Sequence, residues 1–214
     1  MLTLLLQSAP ATALSPFTLM NAVGTVAFAV AGASKGIEKD LDYLGVAVLG
    51  VVTALGGGIT RDLLVGRVPG ALLAESDMTL ALAGVVLTLA MTRADAGDIA
   101  DSPMLTLPDA VGLAAFAATG AIVGHEVGLS PFGVVITATL TGTGGGAIRD
   151  LLAQEVPSIL HEDFYATCAL AGGAAFWAVR EAGFAQLWAT GVCVGLALGL
   201  RLAAIRYDWA LPTP

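Results

Sequence analysis

Seven apolar stretches follow one another along the chain, most of them about 18 to 22 residues long, which is the length a helix needs to cross the hydrocarbon core of a bilayer. Hydropathy places the spans near Phe17–Ser34, Tyr43–Val65, Met78–Met91, Leu107–Gly124, Pro131–Ala153, Phe164–Val179 and Phe184–Ile205. The third is the shortest, and a start at Ala71 would bring Glu75 and Asp77 to its entrance. Only 12% of the residues are charged against 57% apolar, whereas a soluble domain carries roughly a quarter charged residues. With a mean hydropathy of +0.85 the chain cannot cover itself with a polar surface. The expected solvent is lipid, and the whole of 1–214 reads as a single membrane domain.

A formal net charge of -8, with no basic stripe and no interleaved aromatics, excludes nucleic acid as a partner. The acids gather in connections, at Glu38, Asp40 and Asp42 and again at Asp95, Asp98 and Asp101, and read as solvated loops. Cys168 and Cys193 fall inside spans and read as small apolar fillers. The apolar start, Met1 to Leu6, lacks a basic region before it, so a cleaved signal peptide is not expected.

Internal self-similarity reorganises this picture. A gapless offset of 88 residues carries Arg61-Asp62 onto Arg149-Asp150, Ala22-Val23-Gly24 onto Ala110-Val111-Gly112, Glu38 onto Glu126, Thr53 onto Thr141 and Val68-Pro69 onto Val156-Pro157. Two greasy helices that resembled each other by chance would not keep Glu, Pro and Thr in step. The chain therefore reads as a three-helix unit over 17–92, a second copy over 105–180 and a seventh helix over 184–206. An odd number of spans per copy makes the second enter from the opposite side. The expected fold is all-α, a polytopic membrane protein of seven transmembrane helices arranged as two inverted three-helix repeats plus a seventh helix. Equivalent segments of such repeats meet near mid-membrane, an arrangement common to transport proteins.

Lys35, Lys39, Arg93, Arg201 and Arg206 fall at one set of span ends and Arg67 and Arg180 at the other. The positive-inside rule makes the first set cytoplasmic, with the N-terminus outside and the C-terminus inside.

Gly56-Gly57-Gly58 in the second span and Gly144-Gly145-Gly146 in the fifth put three poor helix formers in a row, at about 1 kcal/mol each relative to alanine. Each triplet predicts a break in its helix, tolerable at membrane depth only where protein or water satisfies the freed backbone. Arg61 and Asp62 follow the first break, Arg149 and Asp150 the second. Charges facing lipid would cost several kcal/mol, so all four should point into the protein. Neighbouring helix residues point about 100° apart, which suggests cross-repeat pairs, Arg61 with Asp150 and Arg149 with Asp62. The alternative is that the glycines permit close packing and the charges anchor helix ends.

Two roles are also open to Thr53 and Thr141, and to Thr137, Thr139 and Thr143 beside them. Their hydroxyls could replace part of an ion's hydration shell, or bond the carbonyls of the preceding turn. Lys35 and Lys39 could meet anionic lipid head groups or lie in a plain solvated loop. Gly32 and Gly36, Gly120 and Gly124, and Gly191, Gly195 and Gly199 have the spacing that lets helices approach closely; intramolecular packing is expected of the first two sets, and either packing or an oligomer contact of the third, on the unpaired seventh helix. His125 and His161 lie in different connections without a triad or metal-ligand spacing, so no catalytic residue, metal site or cofactor is expected.

The doubled segments GGGITRD and GGGAIRD, set in a three plus three plus one order of spans, resemble the prokaryotic trimeric intracellular cation channel (TRIC) family, whose bacterial members also carry the label of a glycine-transporter domain. The resemblance covers the chain from about Phe17 to Arg206. It implies a homotrimer in a prokaryotic inner (cytoplasmic) membrane, each protomer conducting monovalent cations, chiefly K⁺, past kinked second and fifth helices. On this resemblance Gly56, Gly57, Gly58, Gly144, Gly145 and Gly146 map to the kinks, and Arg61, Asp62, Arg149 and Asp150 to the pore-associated charges. Animal members bind a phosphoinositide near a lysine-containing motif in the second helix, where this chain reads Gly-Gly-Gly. The rival reading is a secondary transporter for a small amino acid such as glycine.

Overall fold

Ser15, Asp42 and Ser130 begin helices for the same reason: each side-chain oxygen accepts the backbone N–H three residues on, at 3.1, 2.7 and 3.2 Å. Such caps satisfy amides that the first turn leaves without a partner. Proline in the first turn, Pro16 or Pro131, adds a preset backbone angle at two of them. The structure, a computed structural model, describes residues 15–94, 103–161 and 164–209. Among these the helices are α1 (Pro16–Glu38), α2 (Tyr43–Leu64), α3 (Gly70–Leu73), α4 (Glu75–Ala94), α5 (Pro103–Glu126), α6 (Pro131–Leu152), α7 (Ser158–His161), α8 (Ala166–Glu181) and α9 (Gln186–Tyr207). The acidic cluster at Asp95, Asp98 and Asp101 lies outside the described residues.

Five helices, α1, α2, α4, α5 and α9, are long and apolar enough to cross a membrane. Two expected spans fall short for visible reasons: α6 carries four threonines and the Arg149-Asp150 pair, and α8 has 16 residues. Large apolar side chains on the outside, Leu44, Leu72, Phe132 and Leu187 among them, are 64 to 74% exposed. In water they would be a liability, and in lipid they are at no cost. This is a multi-pass helical membrane protein.

The centre is built from α1, α2, α5 and α6, with α4 against α1 and α2, α8 against α5 and α6, and α9 over α5 and α8. Central contacts come in reciprocal pairs. Phe28 and Phe116 meet edge to face at 5.3 Å, and each ring fills the space a side chain would take at the other half's glycine, Phe116 at Gly24 and Phe28 at Gly112. Gly32 and Gly36 let α1 close on α2, and Gly120 and Gly124 do the same for α5 on α6. Of the two roles open to the third set, packing within the chain is not the one seen: Gly191, Gly195 and Gly199 have open space before them, because α9 packs through Ala189, Cys193 and Ala197 and turns its glycines outward.

The glycine triplets depart from expectation. Neither α2 nor α6 is interrupted there. The middle glycines are spent on contact instead: a Cβ on Gly57 would collide with the backbone carbonyl of Thr141, and one on Gly145 with that of Thr53. Helix–helix contact without side chains between the backbones recovers in packing what glycine loses in propensity.

Candidate functional site

The last turns of α2 and α6 carry the same local device. Arg61 folds back so that its Nε donates to Asp62 Oδ1 at 2.8 Å, and Arg149 Nε does the same to Asp150 Oδ1 at 2.9 Å. The other oxygen of each aspartate accepts a backbone N–H eight residues on, from Gly70 at 2.9 Å and Ser158 at 2.8 Å, at the starts of α3 and α7. The chain reaches those amides through a left-handed residue, Gly66 in one copy and Gln154 in the other. Each Arg-Asp pair is thus a clamp holding the returning chain against its helix. All four residues are at most 6% exposed, as burial away from lipid requires. The cross-repeat pairs are not formed. Adjacent helix residues diverge at Cβ, but an arginine side chain is long enough to curl sideways to its neighbour's carboxylate, which the turn holds in place.

Beyond the clamps the two ends part company. Arg149 Nη1 makes a second ion pair, at 2.6 Å, with the buried Asp109 of α5. Tyr165, fully buried beside them, lies under the Arg201 guanidinium of α9, 4.8 Å from its ring centre. At the other end Arg61 Nη1 meets, among the described residues, the Thr119 hydroxyl at 3.4 Å, with its guanidinium over Phe17. Asn21 Nδ2 donates to Asp77 Oδ1 at 2.9 Å. Asn21 and Asp109 occupy one repeat position, Asp77 and Tyr165 another, so the second acid of the motif has changed places between the copies. Arg61, Asp62, Asn21, Ser76, Asp77 and Arg67 border an open cavity of about 360 Å³.

The sequence signal for Asn21, Asp77, Asp109 and Tyr165 was present as polar residues in register at 88, but unlike partners do not score as a repeat. The threonines are committed to their own helices: Thr53 and Thr141 donate to Leu49 and Thr137 carbonyls at 2.6 Å, and Thr137, Thr139 and Thr143 likewise to the preceding turn. Among the described residues no group of three or more His, Cys, Asp or Glu is placed to hold a metal ion.

Lys35 and Lys39 both reach Glu155, just past the end of α6, at 2.7 and 2.5 Å, and Lys35 also pairs with Glu38 at 2.9 Å. This strap ties α1 to α6 at the Asp109 end and has no equivalent at the other, where the matching positions are Val123, Val127 and Arg67. Partial burial alone would raise the Glu155 pKa, but the two lysine hydrogen bonds and charges outweigh it and hold the carboxyl below the ordinary value of 4.5. A depressed carboxylate pKa gives stability that is complete above the ordinary value and is lost as pH falls through the folded one. Glu155→Gln should therefore lower the melting temperature slightly at pH 7, by about 1 kcal/mol or less in stability. The wild-type and variant melting curves should converge below the carboxylate range, and a difference that persists there would contradict the strap.

Comparison with known proteins agrees with this architecture. A family described as glycine transporter matches residues 18–93 and again 106–181, two copies at the same 88-residue offset. The chain is 36% identical over 198 residues to the UPF0126 membrane protein YvgT of Bacillus subtilis, covering 91% of this chain and 94% of that one. It is 36% identical over 197 residues to the UPF0126 inner membrane protein YadS of Escherichia coli K12, again covering 91% and 94%. A structure solved to explain conductance through TRIC cation channels superposes with a TM-score of 0.80 at 38% identity, over 92% of this chain and 96% of that one. A prokaryotic TRIC channel crystallised in 0.5 M KCl gives 0.83 at 33% identity, over 91% and 98%.

Paired clamps on crossing helices inside a lipid-facing shell define a helical membrane protein with polar chemistry at its core. The chain belongs to the prokaryotic TRIC family, the membrane proteins also described as glycine transporters.

Proposed function

We propose that the protein is a K⁺-permeable monovalent cation channel, a homotrimer with one pore in each protomer, running past the α2–α6 crossing. The observation that carries this reading is the match over more than nine-tenths of the chain to structures described as TRIC cation channels. The charged clamps buried at both ends of that crossing support it physically, since charge within a membrane protein marks a polar path by default.

On this reading seven spans cross the membrane as two inverted repeats, 17–92 and 105–180, followed by the seventh helix at 184–206. The reciprocal Gly24–Phe116 and Gly112–Phe28 contacts support the inversion. The N-terminus lies outside and the C-terminus in the cytoplasm. Lys35, Lys39, Arg93 and Arg201 then sit at the cytoplasmic end with Glu155, Tyr43 and Tyr165, and the open cavity faces out. The unbroken but side-chain-free stretches of α2 and α6 are where the path flexes. The protein acts without a cofactor and is not an enzyme.

Purified protein in planar bilayers is expected to give discrete unitary K⁺ currents. Saturable glycine uptake into liposomes with no unitary current would overturn the channel in favour of a secondary transporter.

A further inference from the structure

The turns that follow α1 and α5 fold alike but are charged differently. Asp40 closes the first with φ at 53°, and Gly128 closes the second at 75°. Both make the same return bond, from Leu41 N–H to the Gly36 carbonyl and from Leu129 N–H to that of Gly124, each at 3.0 Å. Glycine takes this left-handed backbone at least cost, so the turn itself does not call for an aspartate. Nor does the cap after it, since Asp42 begins α2 as Ser130 begins α6. Arg93, in the last turn of α4, stands where the second copy has Glu181. Two acids and a base are thus carried by one copy at positions where the other folds without them.

The three share a groove. Asp40, Asp42 and Arg93 rim an open cavity of about 420 Å³ with Ile37, Leu41, Val46 and Leu89 as its apolar lining. Arg93 is anchored on Tyr43: Nη2 donates to the hydroxyl at 3.1 Å, and the guanidinium lies 5.6 Å from the ring centre. A guanidinium fork carries more donors than that bond uses. Leu44, beside Tyr43, is 72% exposed, and a tyrosine at the end of a lipid-facing helix marks the level of the head groups.

We propose that this groove binds phosphatidylethanolamine, with the lipid phosphate on Arg93, its ammonium on Asp40 and Asp42, and an acyl chain along Val46 and Leu89. Charge complementarity selects the head group. A phosphatidylglycerol head has the phosphate alone and would bring it against two carboxylates. A choline head is cationic but has no N–H to donate, whereas an ammonium bonds carboxylates directly. Binding here depends on the lipid-facing placement of this end of the molecule and not on conduction.

Full-length protein in detergent would be titrated with phosphatidylethanolamine, phosphatidylcholine and phosphatidylglycerol of identical acyl chains, and bound lipid read by native mass spectrometry. Phosphatidylethanolamine is expected to bind saturably and more tightly than either of the others by roughly fivefold, the upper range for an exposed charge pair. The second copy supplies substitutions that preserve turn and cap. Asp40→Gly with Asp42→Ser should bring phosphatidylethanolamine down to the level of phosphatidylcholine. Arg93→Gln should weaken both, because each loses its phosphate partner. Melting temperature and size-exclusion profile close to wild type show that a variant is folded, and the comparison of head groups on the wild-type protein decides even if a variant is not. Phosphatidylcholine or phosphatidylglycerol binding as tightly as phosphatidylethanolamine, or the preference surviving in folded Asp40→Gly/Asp42→Ser, would overturn the site.

Discussion

Arg149→Met is expected to be among the most damaging single substitutions in this chain, costing about 3 to 5 kcal/mol, the usual penalty for breaking a buried ion pair from one side. Asp109 would be left 5% exposed with its guanidinium partner gone. Asp150 would keep, among the described residues, the Ser158 amide. Arg61→Met should cost less, because Asp62 retains the Gly70 amide and the neighbouring cavity can admit water. Thermal unfolding in detergent would rank the two. Adding Asp109→Asn to Arg149→Met should recover a large part of the loss, since the stranded charge is then removed. Equal melting temperatures for the two arginine variants would mean that the ends are not electrostatically different.

The second large effect concerns the glycines. Alanine at Gly57 or Gly145 puts a methyl group into a backbone carbonyl of the opposing helix, Thr141 or Thr53, which cannot move aside as a side-chain tip could. Overpacking a close crossing costs about 1 to 3 kcal/mol, and here it should also push α2 off α6 and abolish current. Gly58→Ala is the informative contrast, because its nearest neighbour would be 3.9 Å away. It should fold at least as well as wild type, gaining up to about 1 kcal/mol of helix propensity. If flexure of α2 underlies opening, this folded variant will show reduced open probability. An unchanged current from Gly58→Ala would assign the triplets to packing alone.

Much of this architecture is legible in the sequence because its causes are local or periodic. Apolar run length marks the helices. The repeat is visible because Glu, Pro and Thr keep register as well as the greasy residues. The clamps were legible as residues but not as contacts. Spacing along a helix gives the direction of Cβ and says nothing of where a long guanidinium ends, so it points Arg61 and Arg149 at each other's aspartates while each in fact bonds its own neighbour. The helix breaks expected at Gly56 to Gly58 and Gly144 to Gly146 failed for a tertiary reason: propensity counts what glycine lacks, while the α2–α6 crossing uses that lack. The exchange of Asn21 and Asp77 for Asp109 and Tyr165 was hidden because each position on its own is a mismatch. Only the shared arginine shows that the acid was moved and not lost.

The seating of Phe28 against Gly112 and of Phe116 against Gly24 bears on how the protein is made. Neither half holds the socket for its own ring, so α1 cannot complete its packing when it first leaves the ribosome. It must wait in the bilayer until α5 has been synthesised, on the order of five to fifteen seconds later at ordinary translation rates. During that interval the socket at Gly24 is open to lipid tails, and Phe28 has no socket to enter. Arrival of α5 then supplies both missing partners at once, Phe116 for the socket at Gly24 and the Gly112 socket for Phe28, which makes its insertion the commitment point in biogenesis.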